Sequence, residues 1–407
     1  MCGIAGLYAG EDQAVSLTEL GRMIAMLGHR GPDGYGLYRD ERVGLGHARL
    51  SLVDLAGGAQ PMEQGDGTLW LSFNGEIFNY LELRRSLTAL GHRFKTQSDS
   101  EVILHCYARY GERCWRMLNG QFAFALWDRR RRRLWLVRDR LGILPLYYAR
   151  AGKALLFASE AKALFAGGRL APRLDAQSVA ESFCFWSPLP GGSAFAGVAA
   201  VKPAHALAID ADLSIREQIY WQPSPAGAAA PASLDEAAER LEEALGRAVD
   251  FRLRADVPVG AYLSGGLDSS VIGSLAAERV GGRLVSFGIG FEDARFDESA
   301  EQAAIARHVG SLHHALRCDG AAIAASLQDV VWQCETPLLR TSPVPLYLLA
   351  RRVREAGIKA VLSGEGADEL LAGYAIFGED QIRRFWARRP DSKWRPHPPG
   401  RASRVEP

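Results

Sequence analysis

The chain begins MCGIAG, and Cys2 stands directly behind the initiator methionine. Once Met1 is removed, one residue carries both a thiol and a free α-amine, which titrate at roughly 8.5 and roughly 8. Such a residue holds a nucleophile and a general base together, as in enzymes with an N-terminal threonine. Taken alone, the stretch fits an ordinary small hydrophobe as well. A second chemical signature is SGGLDSS, residues 264–270. It follows the apolar run AYL and opens a helical pattern. Adjacent glycines let backbone amides close around an anion, and a helix start adds N–H groups and partial positive charge. Ser264, Ser269 and Ser270 can donate hydrogen bonds. Asp268 can hold Mg²⁺, a hard ion that favours carboxylate and phosphate oxygens. The loop lacks the lysine and spacing of a Walker A sequence, and a plain Gly-rich turn is the alternative. AVLSGEGADELLAGY, residues 360–374, again places Ser, Gly and acidic residues after an apolar strand.

These loops need elements to position them. Up to about residue 220 the pattern is strand-rich. GLGHARLSLVD, TLWLSFNGEIFN, GQFAFALWD, RLWLVRD and ALLFASE are short apolar stretches bounded by glycine and charge. Helix-like pieces, Tyr80–Leu90 and Glu101–Tyr110, lie between them. QPSPAGAAAPAS (222–233) has no periodicity and reads as a linker. Beyond it, Ser233 and Glu236 form a capping-box pattern ahead of a helix with Leu241, Leu245 and Val249 on one face. Strand and helix patterns then alternate to SGEG, which implies a parallel sheet covered by helices. In such a sheet both Gly-rich loops emerge at the carboxyl edge and face one crevice. ETPLLRTSPVPLY (335–347) is expected to stay out of a long helix because of its prolines; Arg340 or Thr341 there is a candidate contact to an acidic substrate.

The 407 residues suffice for two or three domains, and a net charge of +1 gives no global pull toward nucleic acid or membrane. No apolar run is long enough to span a bilayer. The six cysteines (2, 106, 114, 184, 318 and 334) form no CxxC pair, which argues against zinc and against a disulfide framework and suits a reduced, cytoplasmic setting. The five arginines of DRRRRRL (128–134) sit between two strand patterns and read as a solvated hairpin turn rather than an RNA contact.

Taken together, MCGIAG, HRGPDG (29–34), RLS (49–51), FNGEIFN (73–79) and SDSE (98–101) resemble the class II glutamine amidotransferase domain. SGGLDSS, SFGIGF (286–291) and SGEGADE (363–369) resemble the ATP-pyrophosphatase domain of glutamine-hydrolysing asparagine synthetases. The resemblance implies α/β plus α+β folds: an Ntn-hydrolase αββα sandwich at 1–218, a linker at 219–233, a PP-loop domain with a parallel sheet at 234–390, and an irregular tail at 391–407. It implies that Cys2 is the glutaminase nucleophile. Arg49 would grip the glutamine α-carboxylate through its guanidinium fork. The backbone of Leu50, Ser51, Leu52 and Val53 would line the pocket. Asn74 and the Gly75 amide would form an oxyanion hole, with Glu76 and Asp99 on the glutamine amino group. Asn74–Gly75 between apolar runs also reads as a hairpin turn, which can itself present an amide. Arg49 in a surface ion pair is the corresponding alternative. ATP, a substrate, would meet Leu263, Ser264, Gly265, Gly266, Asp268, Ser269, Ser363 and Gly364, with Ile289 at the adenine. Asp268 and Asp368 are the candidate Mg²⁺ ligands, and Glu365 matches a residue linked to acyl-adenylate formation. Glutamine, aspartate and ATP are the implied small-molecule partners, with neither nucleic acid nor membrane, and with room for a homodimer.

Two departures stand out. Relatives of this kind continue well past SGEGADE, so the chain reads as truncated, with the synthetase half incomplete. Ala372 also replaces the first glycine of a GGY pattern, and Gly378 or Glu379 falls where a lysine is usual.

Overall fold

The computed structural model describes residues 1–11, 13–224 and 230–388. The expected tail (391–407), Trp394, the last two residues of the second domain and residues 225–229 of the linker lie outside the described residues.

The first half runs β1 (Gly3–Ala9), α1 (Leu17–Ala25), β2 (Gly34–Arg39), β3 (Val43–Arg49), β4 (Met62–Glu63), β5 (Leu69–Ile77), α2 (Tyr80–Ala89) and α3 (Asp99–Tyr110). It continues with β6 (Gly120–Asp128), β7 (Arg133–Arg138), β8 (Tyr147–Ala151), β9 (Ala154–Ala158), α4 (Ala161–Ala166), α5 (Ala176–Phe185), β10 (Val198–Ala200), β11 (His205–Ile209) and β12 (Ile215–Ile219). Two six-stranded antiparallel sheets result, in the orders β10-β8-β9-β1-β3-β2 and β12-β11-β7-β6-β5-β4. Their facing sides share one core: Ile4, Tyr8, Val43, Leu45, Leu155 and Phe157 from the first meet Ala123, Ala125, Trp127, Leu134, Leu136 and Leu207 from the second. The outer face of the first sheet packs on Met23, Ile24 and Leu164 of α1 and α4. That of the second packs on Leu83, Val102, Ile103 and Cys106 of α2 and α3. The layers are therefore αββα. Strands covered on both faces read as continuous apolar runs, which is why FAFALW in β6 shows no polar alternation. Each fully buried Phe or Leu there contributes about 1.5–3 kcal/mol. The arginine run is the β6–β7 hairpin turn, as expected, with Arg131 on Asp128 and Arg133 on Asp210. Tyr220, just after β12, is buried in the first-half core and donates to Arg138 O at 2.7 Å.

The second half runs α6 (Leu234–Arg252), β13 (Val259–Tyr262), α7 (Leu267–Arg279), β14 (Val285–Phe291), α8 (Ser299–Val309), β15 (Leu312–Cys318), α9 (Gly320–Cys334), α10 (Pro343–Glu355), β16 (Ala360–Leu362), α11 (Ala367–Leu371) and α12 (Ala375–Ala387). Ser233 caps α6, its hydroxyl accepting from Glu236 N–H at 3.1 Å. The four-stranded sheet has the order β15-β14-β13-β16, parallel throughout. Helices α6 and α7 cover one face, and α10 with α9 the other.

One local expectation fails. Pro343 and Pro345 do not keep their segment out of a helix; Pro343 is the first residue of α10. A proline in the first turn loses no helical hydrogen bond, because those N–H groups have no intrahelical partner.

Candidate active site

At one end of the sandwich, the start of β1, the end of β3, the middle of β5 and the start of α3 converge. Gly3 pairs with Ala48, so one further step sets Cys2 level with Arg49. The chain crosses over β3 just before this point: a Cβ on Gly31 would lie 2.1 Å from the Ala48 carbonyl carbon, so only glycine fits. Leu50 N–H donates to Cys2 Sγ at 3.3 Å. Burial pushes the Cys2 thiol up, and its contact with the Leu50 backbone works the other way. Burial lowers the terminal amine, which here belongs to Met1, to about 6.

Asn74 and Gly75 are not a hairpin turn. They lie within β5, paired with Ala123 and Phe122 of β6. The local turn signal is overruled by close packing: a Cβ at Gly75, where φ is +151°, would sit 2.2 Å from Gln121 O. Phe73 N–H and Ile77 N–H point away from β6, to Gln60 Oε1 and Asp99 Oδ2. Strand alternation aims the Gly75 N–H to that same open side. The Asn74 side chain is fully buried, and neither its Nδ2 nor its Oδ1 has a hydrogen-bond partner among the described residues. A buried amide without partners costs about 1–3 kcal/mol, so an orphan of this kind marks a place for a ligand atom.

Asp99 opens α3 behind the Ser98 cap and is buried. Burial raises its carboxyl to about 6 despite hydrogen bonds from Ile77 and Ser100. Burial and the Asp99 charge together push Glu76 well above the ordinary carboxylate range. Neither makes an ion pair with Lys, Arg or His among the described residues. Arg49 is not in a surface ion pair either. Its guanidinium donates to Asp54 O at 2.6 Å and Leu55 O at 3.0 Å, stiffening the loop that contains Leu50, Ser51, Leu52 and Val53.

In the second half, Leu263 is buried and Gly265 takes φ +88° against α8. Ser264 N–H and the Ser264 hydroxyl meet Ser269 Oγ at 3.1 and 2.9 Å. Gly266 caps α7 without a side-chain hydrogen bond, which leaves the first-turn N–H groups available. The two loops lie against each other: a Cβ on Gly364 would lie 2.9 Å from Asp268 Cβ and 3.0 Å from Ser269 N. Asp368, in the first turn of α11, folds against Gly373. Ser363 and Glu365 open onto a cavity of about 370 Å³ with Tyr262, Cys334, Leu346 and Tyr347 in its walls. Ile289 lies on β14, its carbonyl accepting from Gln302 Nε2 at 2.9 Å. The Arg340 guanidinium stacks 3.7 Å over the Trp186 ring. A larger cavity, about 780 Å³, lies elsewhere, between His92, His105 and Arg130.

Sequence reasoning missed several supporting groups. Arg30 donates to Cys2 O at 2.9 Å and to Glu160 at 2.8 Å. Burial works against the Glu160 carboxylate, yet His29, Lys162 and Arg30 hold it at about 2. Glu335 caps α4 from the second half, accepting from Ala161 N–H and Lys162 N–H at 2.7 and 2.6 Å. Gln302, buried, also reaches Ser264 O at 3.4 Å. The HRGPDG stretch carried a signal for Arg30; Glu160, Gln302 and Glu335 stand in no motif.

Comparison with known proteins bears on both ends of the chain. Residues 1–221 match the family described as "Glutamine amidotransferase domain", and residues 240–405 the family described as "Asparagine synthase". The chain is 35% identical over 384 residues to "Asparagine synthetase [glutamine-hydrolyzing] 1" of Bacillus subtilis (strain 168), covering 93% of this chain and 60% of that protein. It is 34% identical over 423 residues to "Amidase chyE" of Penicillium rubens, covering 97% and 61%. It thus spans about 60% of the length of these curated relatives. Among solved structures, the glutamine phosphoribosylpyrophosphate amidotransferase of B. subtilis aligns at 18% identity with a TM-score of 0.42, over 77% of this chain and 65% of that one.

Proposed function

Because the chain belongs to the glutamine amidotransferase domain family, with a second half that matches asparagine synthase, we propose that it makes an amide from glutamine nitrogen. In this reading residues 1–218 hydrolyse glutamine and residues 234–390 activate a carboxylate, aspartate, with ATP. The observation that carries it is the polar lining around Cys2: the buried, unpartnered Asn74 amide beside the acidic pair of buried Asp99 and half-buried Glu76, neither of which pairs with a Lys, Arg or His side chain among the described residues. The α-ammonium of glutamine supplies the missing cation, and its carboxylate meets Arg49. That places the δ-carboxamide at Cys2 Sγ, whose Leu50 N–H contact favours the thiolate. As sulfur attacks, the carbonyl oxygen gains charge beside Asn74 Nδ2 and the Gly75 N–H. The free α-amine takes the thiol proton and passes it to the leaving ammonia, and water then hydrolyses the γ-glutamyl thioester to release glutamate and restore the thiol. Ammonia then reaches the second site shielded from water, where it stays unprotonated and nucleophilic.

There, ATP phosphates lie on the Leu263–Ser269 loop and the start of α7, with Ser363 and Gly364 alongside and Ile289 at the adenine. Aspartate attacks the α-phosphate, pyrophosphate leaves, and ammonia displaces AMP from the acyl-adenylate; Glu365 stands at the cavity where this occurs. Asp268 and Asp368 would hold Mg²⁺, which neutralises phosphate charge when bound. No three His, Cys, Asp or Glu side chains form a metal-sized cluster among the described residues. A second acceptor is favoured by one observation: among the described residues, the walls of the cavity beside Ser363 and Glu365 carry no Lys or Arg to receive the aspartate α-carboxylate. A less polar carboxylic acid fits such walls.

The test is glutamate release from glutamine by the purified chain, with pyrophosphate followed in parallel on addition of ATP, Mg²⁺ and aspartate. Cys2→Ala is expected to abolish glutamate release and spare ammonia-driven synthesis. Glutamate release by the folded Cys2→Ala protein at the parent rate would sink the assignment. Pyrophosphate release with an apolar acid but not with aspartate would move the acceptor.

A further inference from the structure

The segment Leu50–Asp54 lines the glutamine pocket yet belongs to no helix or strand. Its first N–H holds Cys2 Sγ, and its far end receives the Arg49 guanidinium. A loop with those duties must be fixed to within a fraction of an ångström. The first half fixes it at Ser51, whose N–H donates to Asp33 Oδ2 at 2.8 Å, and at Asp54, whose Oδ2 accepts from Gln97 N–H at 2.8 Å. The remaining anchors come from the second half. Asp256 N–H donates to Leu52 O at 2.9 Å, and Asp54 N–H donates to Asp256 Oδ2 at 2.7 Å. Lys359 Nζ donates to the same Asp33 Oδ2 at 2.6 Å and reaches Ser51 O at 3.4 Å.

We infer that Lys359 and Asp256 are positioning residues of the glutamine pocket, supplied by the ATP-binding half. The inference rests on the glutaminase reading above. Asp33 alone is a poor clamp: its side chain is 26% exposed, and water competes for its oxygens. The Lys359 ammonium fixes which oxygen faces the Ser51 N–H. The placement of the two anchors is instructive. Asp256 stands three residues before β13, and Lys359 immediately precedes β16. These two short strands carry the Ser264 and Ser363 loops at their opposite ends. The sheet that presents the phosphate-suited loops thus grips the glutamine loop by the same two strands.

The experiment is glutaminase kinetics on the full chain with Lys359→Ala, Lys359→Arg, Asp256→Ala and Asp256→Asn. Lys359→Ala and Asp256→Ala should each raise KM for glutamine by about five- to tenfold, with a smaller fall in kcat. Lys359→Arg and Asp256→Asn, which keep a donor and an acceptor, should recover most of it. Cys2 alkylation by iodoacetamide, which needs no glutamine, should still go to completion in every variant, showing that the site is folded. Unchanged KM in both alanine variants overturns the inference while leaving the glutaminase reading intact. So does a loss of kcat and KM together that neither conservative variant restores. A parent chain that alkylates at Cys2 but never hydrolyses glutamine would overturn the glutaminase reading itself.

Discussion

The two sites are built on opposite plans. Around Cys2 the groups are enclosed: Asp99 and Asn74 are buried, and Glu76 and Asp99 are pushed up by burial. Around SGGLDSS and SGEGADE they are open: Ser264, Gly266, Ser363 and Glu365 are exposed, and the geometry comes from backbone. A buried site spends fold stability to hold charges ready for a small zwitterion. A site for a polyphosphate can stay wet, because the ligand brings its own charge and its counter-ion. The first should therefore respond to substitution through electrostatics and the second through loss of specific ligands.

Asn74→Ala sharpens this contrast most. It should lower kcat for glutamine about 10²- to 10³-fold, as loss of an oxyanion donor does. Melting temperature should hardly move, because the amide has no partner to lose. A large drop in both would show that Asn74 is structural. Next, Asp268→Asn should cut ATP-dependent pyrophosphate release by about a hundredfold and leave glutamate release untouched. A parallel fall in glutaminase activity would mean that the two sites are not separable. The pH profile comes third. A carboxyl raised to about 6 is ionised above that pH and neutral below it. The Asp99 charge proposed to receive the glutamine ammonium is therefore present at neutral pH and is lost as pH falls through about 6. The reciprocal of KM should then decline about tenfold per unit at lower pH, and a flat KM between pH 5 and 7 (values set for the assay at about one unit either side of that point) would contradict the buried-carboxylate picture. The smallest effect is expected at Ala372, which ends α11 with φ +59°. Ala372→Gly should stabilise by about 1 kcal/mol in denaturant unfolding, since a left-handed conformation costs an L-residue that much. No change would mean that the turn relaxes in solution.

Much of this architecture was legible in the sequence, unevenly so. Apolar runs such as FAFALW and the alternation after Ser233 specify strands and helices because burial imposes their periods. The glycine loops were legible because a strand–loop–helix turn around an anion needs them. Asn74–Gly75 misled as a turn because its local preference yields to the register with β6, which is set by residues far along the chain. Pro343 misled because its effect depends on where the helix starts. The Lys359–Asp33 pair spans 326 positions and left no local trace. Nor does composition tell that Glu76 and Asp99 pair with no Lys, Arg or His side chain among the described residues; that depends on which side chains share their enclosure.

Gly364 has one more consequence. With a Cβ-sized space closed off by Asp268 and Ser269, the two nucleotide-suited loops touch where Gly364 brings no side chain. Any side chain at 364 would pry them apart, and any shift at the start of α7 would be felt there at once. A substitution that moves either loop is therefore expected to be felt at both, whereas the cavity walls at Leu346 and Tyr347 can change without touching this contact.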